Sequence, residues 1–312
     1  MKAIVWTKYG SPDGLHRQEV DKPTPKDNEV LIKVYATTVT AGDCEARSLQ
    51  FPLWLAIPMR LYMGLIRPRN IVLGQELAGE IEAVGKNVTQ FKVGDPVFGS
   101  TGFRFGGYAQ YAALPEQSDD GVLGIKPSNM SYEEAAGVPT GGLESLHFLR
   151  LANIQPGEKI LINGAGGSIG TFGVQLAKYY GAEVTAVDST SKLDMLRSIG
   201  ADHVIDYTQE DFAEHRETYD VIFDVIGKNS FSRSMKALKS NGRYLLANPS
   251  ISAMIRGKWI SSISDKKVYL TPAERKSEDL NQLKQFIEAG VLKTVIDKHY
   301  PLEQTADAHR YV

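Results

Sequence analysis

Ile160-Leu161-Ile162-Asn163-Gly164-Ala165-Gly166-Gly167-Ser168-Ile169-Gly170 reads as a buried strand, a glycine turn and the first turn of a helix. Apolar Ile160, Leu161 and Ile162 form the strand. Residues 171–180 form the helix, with Phe172, Leu176 and Tyr179 at helical spacing. Glycines let the backbone approach a pyrophosphate closely, and a helix N-terminus offers that anion N–H groups and partial positive charge. A second strand, 183–187, ends in Asp188, where a nucleotide ribose is expected. Strand, turn, helix, strand and terminal acid together specify a dinucleotide-binding unit.

Gly164, Gly166 and Gly170 depart from strict G-x-G-x-x-G, because three residues separate the last two. Taken alone, the cluster fits an ordinary βα turn. Its context argues for more. Strand-like runs follow at 201–206, 220–225, 243–247 and 267–270, with helical segments such as 192–198 and 230–238 between them. That alternation predicts a parallel, doubly wound α/β sheet.

The first third has another texture. Short strand candidates recur at Lys2–Trp6, Glu29–Thr37, Glu76–Val84, 95–98 and 109–114, separated by turns rich in Gly, Pro and Asp. This predicts a mostly antiparallel β-domain. The transition falls near 124–127, after which Ser131-Tyr132-Glu133-Glu134 has the form of a capping box. Residues 278–289 form an amphipathic helix with Leu280, Leu283, Phe286 and Ile287 on one face, stopped by Gly290. The expected division is 1–125 with 273–312 as one domain and 126–272 as the dinucleotide-binding domain.

Composition excludes several classes. The chain has 312 residues, 42% hydrophobic and 23% charged, as in ordinary globular proteins. A net charge of -2 gives no footing for nucleic acid. Cys44 is the single cysteine, which excludes an intrachain disulfide and a multi-thiolate zinc site. MKAIVWTKYG reads as a strand and turn without a signal-peptide core, so the cytoplasm is the expected compartment. The greasy stretch 51–73 is interrupted by Arg60, Arg67, Arg69 and three prolines, and no apolar run reaches bilayer length. A loop with a short helix, the wall of a substrate cleft and a dimer contact remain open readings of it.

Motifs along nearly the whole chain resemble the medium-chain dehydrogenase/reductase superfamily, in its zinc-free quinone oxidoreductase and enoyl-reductase-like branch. They are MKAIVWTKYG, Val39-Thr40-Ala41-Gly42-Asp43, Gly74-Gln75-Glu76-Leu77-Ala78-Gly79-Glu80-Ile81, Phe91-Lys92-Val93-Gly94-Asp95-Pro96-Val97, Gly106-Gly107-Tyr108-Ala109, the nucleotide turn and Ser198-Ile199-Gly200-Ala201-Asp202. The resemblance implies a GroES-like β-domain plus a Rossmann domain, with the site in a cleft between them, and commonly a homodimer. It also implies a further glycine turn and strand beyond His309-Arg310-Tyr311-Val312, outside this sequence.

Two departures direct the chemistry. Zinc alcohol dehydrogenases carry Cys and His where this chain has Thr40 and Gln75. A threonine hydroxyl and a glutamine amide are poor zinc ligands, so no metal is expected. Cys44 reads as a small packed residue, with no base beside it in the sequence. Without a Lewis acid, hydride delivery to an electron-poor acceptor stays feasible: a quinone, or an alkene conjugated to a carbonyl. A proton then comes from solvent or a nearby hydroxyl. By resemblance, Thr40, Asp43 and Thr140 lie near the nicotinamide end and position ring and substrate. Tyr62 is a candidate substrate-facing donor, with plain packing the simpler account.

The cofactor wall follows the same resemblance: Gly164, Ala165, Gly166, Gly167, Ser168, Ile169 and Gly170 around the pyrophosphate, Val225, Ile226 and Gly227 with Ala247 and Asn248 beside the nicotinamide. Asp188 suits the ribose of NAD(H) and repels a 2′-phosphate. Lys192 and Tyr207 match the branch's phosphate-binding positions, and Ser189 and Thr190 add hydroxyls. The balance favours NADP(H), with NAD(H) as the alternative. The rival functions are a non-catalytic NADPH-binding sensor or structural protein of the same fold, and an aldehyde or alcohol dehydrogenase.

Overall fold

The structure, a computed structural model, describes residues 1–51, 53–214, 216, 218–227 and 231–312, the side chains of Leu53 and Trp54 excepted. Pro52 of the expected greasy segment and Ser230 of the helix expected at 230–238 lie outside the described residues. The chain divides into two units.

The first unit comprises Met1–Pro139, Arg275–Glu288 and Val295–Val312. Strands β1 (Lys2–Trp6) and β2 (Leu15–Glu19) pair antiparallel, with Lys2 opposite Glu19. A five-stranded antiparallel sheet holds β3 (Glu29–Thr37), β4 (Glu76–Val84), β5 (Pro96–Ser100), β6 (Tyr111–Pro115) and β7 (Val122–Ile125) in the order β6-β3-β4-β5-β7. Val30, Ile32, Leu77, Ile81, Val97 and Leu114 fill its core. Burial of β-branched and aliphatic side chains on one face is what fixes this register. β2 and β7 escape the sequence reading. β2 is LHRQE with only its first residue buried, and β7 is a four-residue run containing Gly124. Helix Leu53–Met63 occupies the greasy segment.

The second unit comprises Thr140–Glu274 and Ala289–Thr294. Its six strands are β8 (Lys159–Asn163), β9 (Glu183–Asp188), β10 (His203–Asp206), β11 (Tyr219–Asp224), β12 (Leu238–Leu246) and β13 (Lys267–Tyr269). They run parallel in the order β10-β9-β8-β11-β12-β13. This is the doubly wound order, reversing direction at β8/β11, where ligands bind beyond the carboxyl ends of the strands. Phe172 and Leu176 of helix Ser168–Tyr179 are buried as expected, whereas Tyr179 is 54% exposed.

The seam between units differs from the expected one. Residues 126–139 belong with the β-domain because Lys126 N–H continues its sheet to Pro96 O (2.9 Å) and Tyr132 packs on Tyr35, ring centroids 4.7 Å apart. The capping box is present there: Ser131 caps Glu134 and Glu134 reaches back to Ser131. Residues 289–294 belong with the parallel sheet, where Gln175 hydrogen-bonds both Lys293 O and Lys293 N–H. Among the described residues, no helix is long and apolar enough to cross a membrane.

Candidate active site

In the second unit the glycine turn stands at the carboxyl end of β8. Gly164 has φ +80°, a left-handed conformation that glycine adopts freely. A Cβ on Gly170 would lie 2.4 Å from Gly164 O and 2.5 Å from Ala165 Cα, so the turn closes on itself only through a bare backbone. The third glycine contacts the first despite the irregular spacing. Gly167 caps helix Ser168–Tyr179 without any side-chain hydrogen bond. The N–H groups of its first turn therefore remain for an anion.

Asp188 at the end of β9 turns inward. Its Oδ2 accepts from Gly166 N–H (2.7 Å) and its Oδ1 from Ser189 N–H (2.8 Å). The acid thus braces the glycine turn. Lys192 stands beside it: a Cβ on Gly166 would meet Asp188 Oδ2 at 2.9 Å and Lys192 Cγ at 3.0 Å. Thr190 donates to Asp206, and Tyr207, 59% exposed, is tied by its backbone N–H to Asp188 O (3.2 Å).

At the far side of the same edge, Asp224 was not singled out by sequence. It is fully buried and accepts from Asn163 Nδ2 (2.8 Å), Gly227 N–H (2.9 Å) and the Tyr244 hydroxyl (2.8 Å). Burial, and then the Asp224 charge, push the Tyr244 hydroxyl well above the usual phenol range. This acid holds the ends of β8, β11 and β12 together and sets the Val225-Ile226-Gly227 turn. Asn248 Nδ2 donates to Val225 O (2.7 Å), and Gly227, at φ +70°, lets Asn248 O pass where a Cβ would be 2.2 Å away.

In the first unit Thr40 caps helix Ala41–Ser48. Its hydroxyl donates to Asp43 Oδ2 (2.8 Å) and accepts from Asp43 N–H (3.1 Å), and Thr40 N–H also reaches Oδ2 (3.0 Å). Asp43 is 0% exposed, and its Oδ1 has no hydrogen-bond partner among the described residues. Burial pushes its carboxyl up to about 6; bonds from Thr40 oppose that, and the nearby Glu76 carboxylate adds to it. Gln75, at the expected zinc-ligand position, is buried against Gly42, where a Cβ would meet its Oε1 at 2.6 Å.

Three further residues complete this cluster, none readable from spacing. Arg47 Nε donates to His309 Nδ1 (3.3 Å), since a guanidinium cannot accept. The neutral His309 ring therefore carries its hydrogen on Nε2 and donates it to Tyr108 Oη (3.2 Å). Tyr108 favours the charged form of Asp43. Burial lowers His309 to about 4 and raises Cys44. Cys44 Sγ lies 3.2 Å from His309 Nδ1, so a base is at hand after all, yet both groups are held neutral. That is the opposite of a thiolate–imidazolium nucleophile.

Thr140 is half-buried in the first turn of helix Pro139–Ala152. Tyr62 is 51% exposed, edge-on to Phe103 at 6.2 Å between centroids. Among the described residues, no three His, Cys, Asp or Glu side chains group to hold a metal ion.

Residues 26–124 match the alcohol dehydrogenase GroES-like domain family, and residues 199–312 match the zinc-binding dehydrogenase family. The chain is 32% identical to NADPH-dependent alkenal/one oxidoreductase, chloroplastic, of Arabidopsis thaliana, over 100% of this chain and 76% of the relative. It is 31% identical to quinone oxidoreductase of Sus scrofa, over 99% of this chain and 93% of the relative. The structure of the quinone oxidoreductase from Coxiella burnetii superposes with a TM-score of 0.86 at 26% identity, covering 100% and 95% of the two chains.

Proposed function

Because the chain belongs to the medium-chain dehydrogenase/reductase superfamily, in its quinone oxidoreductase and alkenal/one reductase branch, we propose that it is an NAD(P)H-dependent, metal-free reductase of quinones or α,β-unsaturated carbonyls. The observation that carries this reading is the self-closing glycine turn under an uncapped helix N-terminus, a cradle a single Cβ would fill. The bound nicotinamide supplies hydride. The chain supplies the rest: Gly164 to Gly170 hold the pyrophosphate, and Val225, Ile226, Gly227, Ala247 and Asn248 wall the nicotinamide. Thr40, Thr140 and Tyr62 orient ring and acceptor, with Asp43 fixing Thr40. Thr40 and Gln75 in place of Cys and His argue against zinc. On the same resemblance the reading includes a homodimer.

NADPH is the favoured cofactor, with Lys192, Tyr207, Ser189 and Thr190 at the 2′-phosphate and Asp188 occupied with the turn. Asp188→Ser removes a charge repelling that phosphate and an acceptor for the NADH ribose. The NADPH-to-NADH affinity ratio should rise on the order of tenfold, read from paired Kd values. An unchanged ratio would place the Asp188 carboxylate away from both nucleotides.

The reaction type is tested by products. A conjugated enone should yield the saturated ketone, with the C=C bond reduced. An allylic alcohol would instead indicate carbonyl reduction of the alcohol dehydrogenase type. Tight NADPH binding with no product from any quinone or enone would indicate a sensor.

A further inference from the structure

Resting on the reductase reading, we propose that Asp43 is the proton store of the reaction and that Thr40 is the hydroxyl through which its proton reaches the acceptor. Hydride transfer to a conjugated carbonyl or quinone leaves an anion that must gain one proton. The geometry offers a two-bond route. Asp43 Oδ2 lies 2.8 Å from Thr40 Oγ1. With Asp43 neutral the 2.8 Å bond reverses, Oδ2–H donating to Oγ1 and the Thr40 O–H turning to the acceptor; the Oδ2–H bond then breaks as a new Oγ1–H bond forms, and the original Thr40 O–H bond breaks as its proton joins the acceptor anion. Asp43 is left as a carboxylate and recovers a proton from water before the next turnover. No electrons beyond the hydride pair are needed.

The surroundings favour a stored proton. Asp43 is 0% exposed and its Oδ1 is an orphan, an expensive setting for a full negative charge. Glu76 on β4, also buried, disfavours a second charge beside it. Tyr108 leans the other way, towards the carboxylate, and so allows the proton to leave. Arg47, Cys44 and Glu45, on the helix that carries Asp43, and His309 from the final helix, Thr305–Tyr311, are further charged or titratable groups near it among the described residues. Arg47 is committed to His309 and Gly10 O. Burial holds His309 and Cys44 neutral. Thr40 is half-buried, at the rim of the cluster, whereas Asp43 is sealed within it.

The test compares wild type with Asp43→Asn, Thr40→Val and Thr40→Ser in holoenzyme turnover of an enone, from pH 5 to pH 9. Wild-type kcat should fall about tenfold per pH unit above roughly pH 6 until it levels near the Asp43→Asn rate at about pH 8. Asp43→Asn should be on the order of 100-fold slower at pH 5.5 and flat across the range. Thr40→Val should behave likewise, and Thr40→Ser should restore both rate and pH profile. A readout independent of activity is the infrared carbonyl band of a protonated carboxylic acid: present at pH 5 in wild type and Thr40→Val, lost in Asp43→Asn. Wild-type pH dependence retained by Asp43→Asn overturns the relay, as does absence of that band. Wild type that oxidises no cofactor with any acceptor overturns the reductase reading and the relay together, while an intact band would still mark Asp43 as protonated.

Discussion

Alanine at Gly170 will weaken NADPH binding by about 100-fold, while alanine at Gly167, three residues earlier in the same turn, will change it little. A Cβ at Gly170 meets backbone atoms at 2.4, 2.5 and 2.6 Å, and none of these can yield as a flexible side chain would. The turn must open, and the first N–H groups of the helix then lose their aim at the pyrophosphate. Losing two charge-assisted hydrogen bonds of about 1.5 kcal/mol each gives the expected factor. Gly167 has φ -87°, and a Cβ there would find its nearest neighbour, Gly164 O, at 3.7 Å, an ordinary contact. The residual cost, roughly 0.5–1 kcal/mol for alanine in place of glycine at a helix cap, falls on stability rather than on the aim of the N–H groups. Fluorescence titration of NADPH against both variants checks the pair. Equal losses would mean that the turn does not hold the pyrophosphate in this way.

Asp43→Asn will stabilise the protein relative to wild type as pH rises from 4 to 8, by up to roughly 3 kcal/mol in total. The folded-state value of about 6 lies above the ordinary carboxylate range, so Asp43 contributes stability that is fully present when the acid is neutral. That contribution is lost as pH rises through about 6. Asparagine keeps an acceptor for Thr40 and has no charge to bury. His309 slopes the other way. Its folded value of about 4 lies below the ordinary imidazole range, so its contribution is full above about 6.5 and lost as pH falls towards 4. The two slopes oppose each other in wild type between pH 4 and 6.5, and the difference between wild type and Asp43→Asn isolates the acid. Urea denaturation at four pH values measures it; a constant difference would show that Asp43 is ionised throughout.

Local features were legible in the sequence. Strand, glycine turn, helix and second strand follow one another without interruption between Lys159 and Asp188, and each carries its own signal: apolar run, glycines, period, terminal acid. The β3 and β4 bounds were also readable from composition and turns. Tertiary features were not. Helix Pro139–Ala152 opens with Gly141 and Gly142, poor helix residues, because a Cβ on Gly141 would lie 2.8 Å from Ser168 backbone atoms. Close packing of that helix start chose glycine over propensity. The cluster of Asp43, Cys44, Tyr108 and His309 brings together residues as far apart as Cys44 and His309, 265 positions in sequence, so no spacing rule exposes it. Asp224 lies inside the strand-like run 220–225, and only the sheet order shows it binding three strand ends together.

Metal-free hydride delivery is the centre of this account, and its most direct test is cofactor consumption by chelator-treated protein whose metal content has been measured. NADPH and NADH run in parallel against a panel of quinones and α,β-unsaturated carbonyls. The account predicts sustained turnover with substoichiometric metal, faster with NADPH than with NADH. Activity that disappears with the metal and returns with one equivalent of zinc would contradict it.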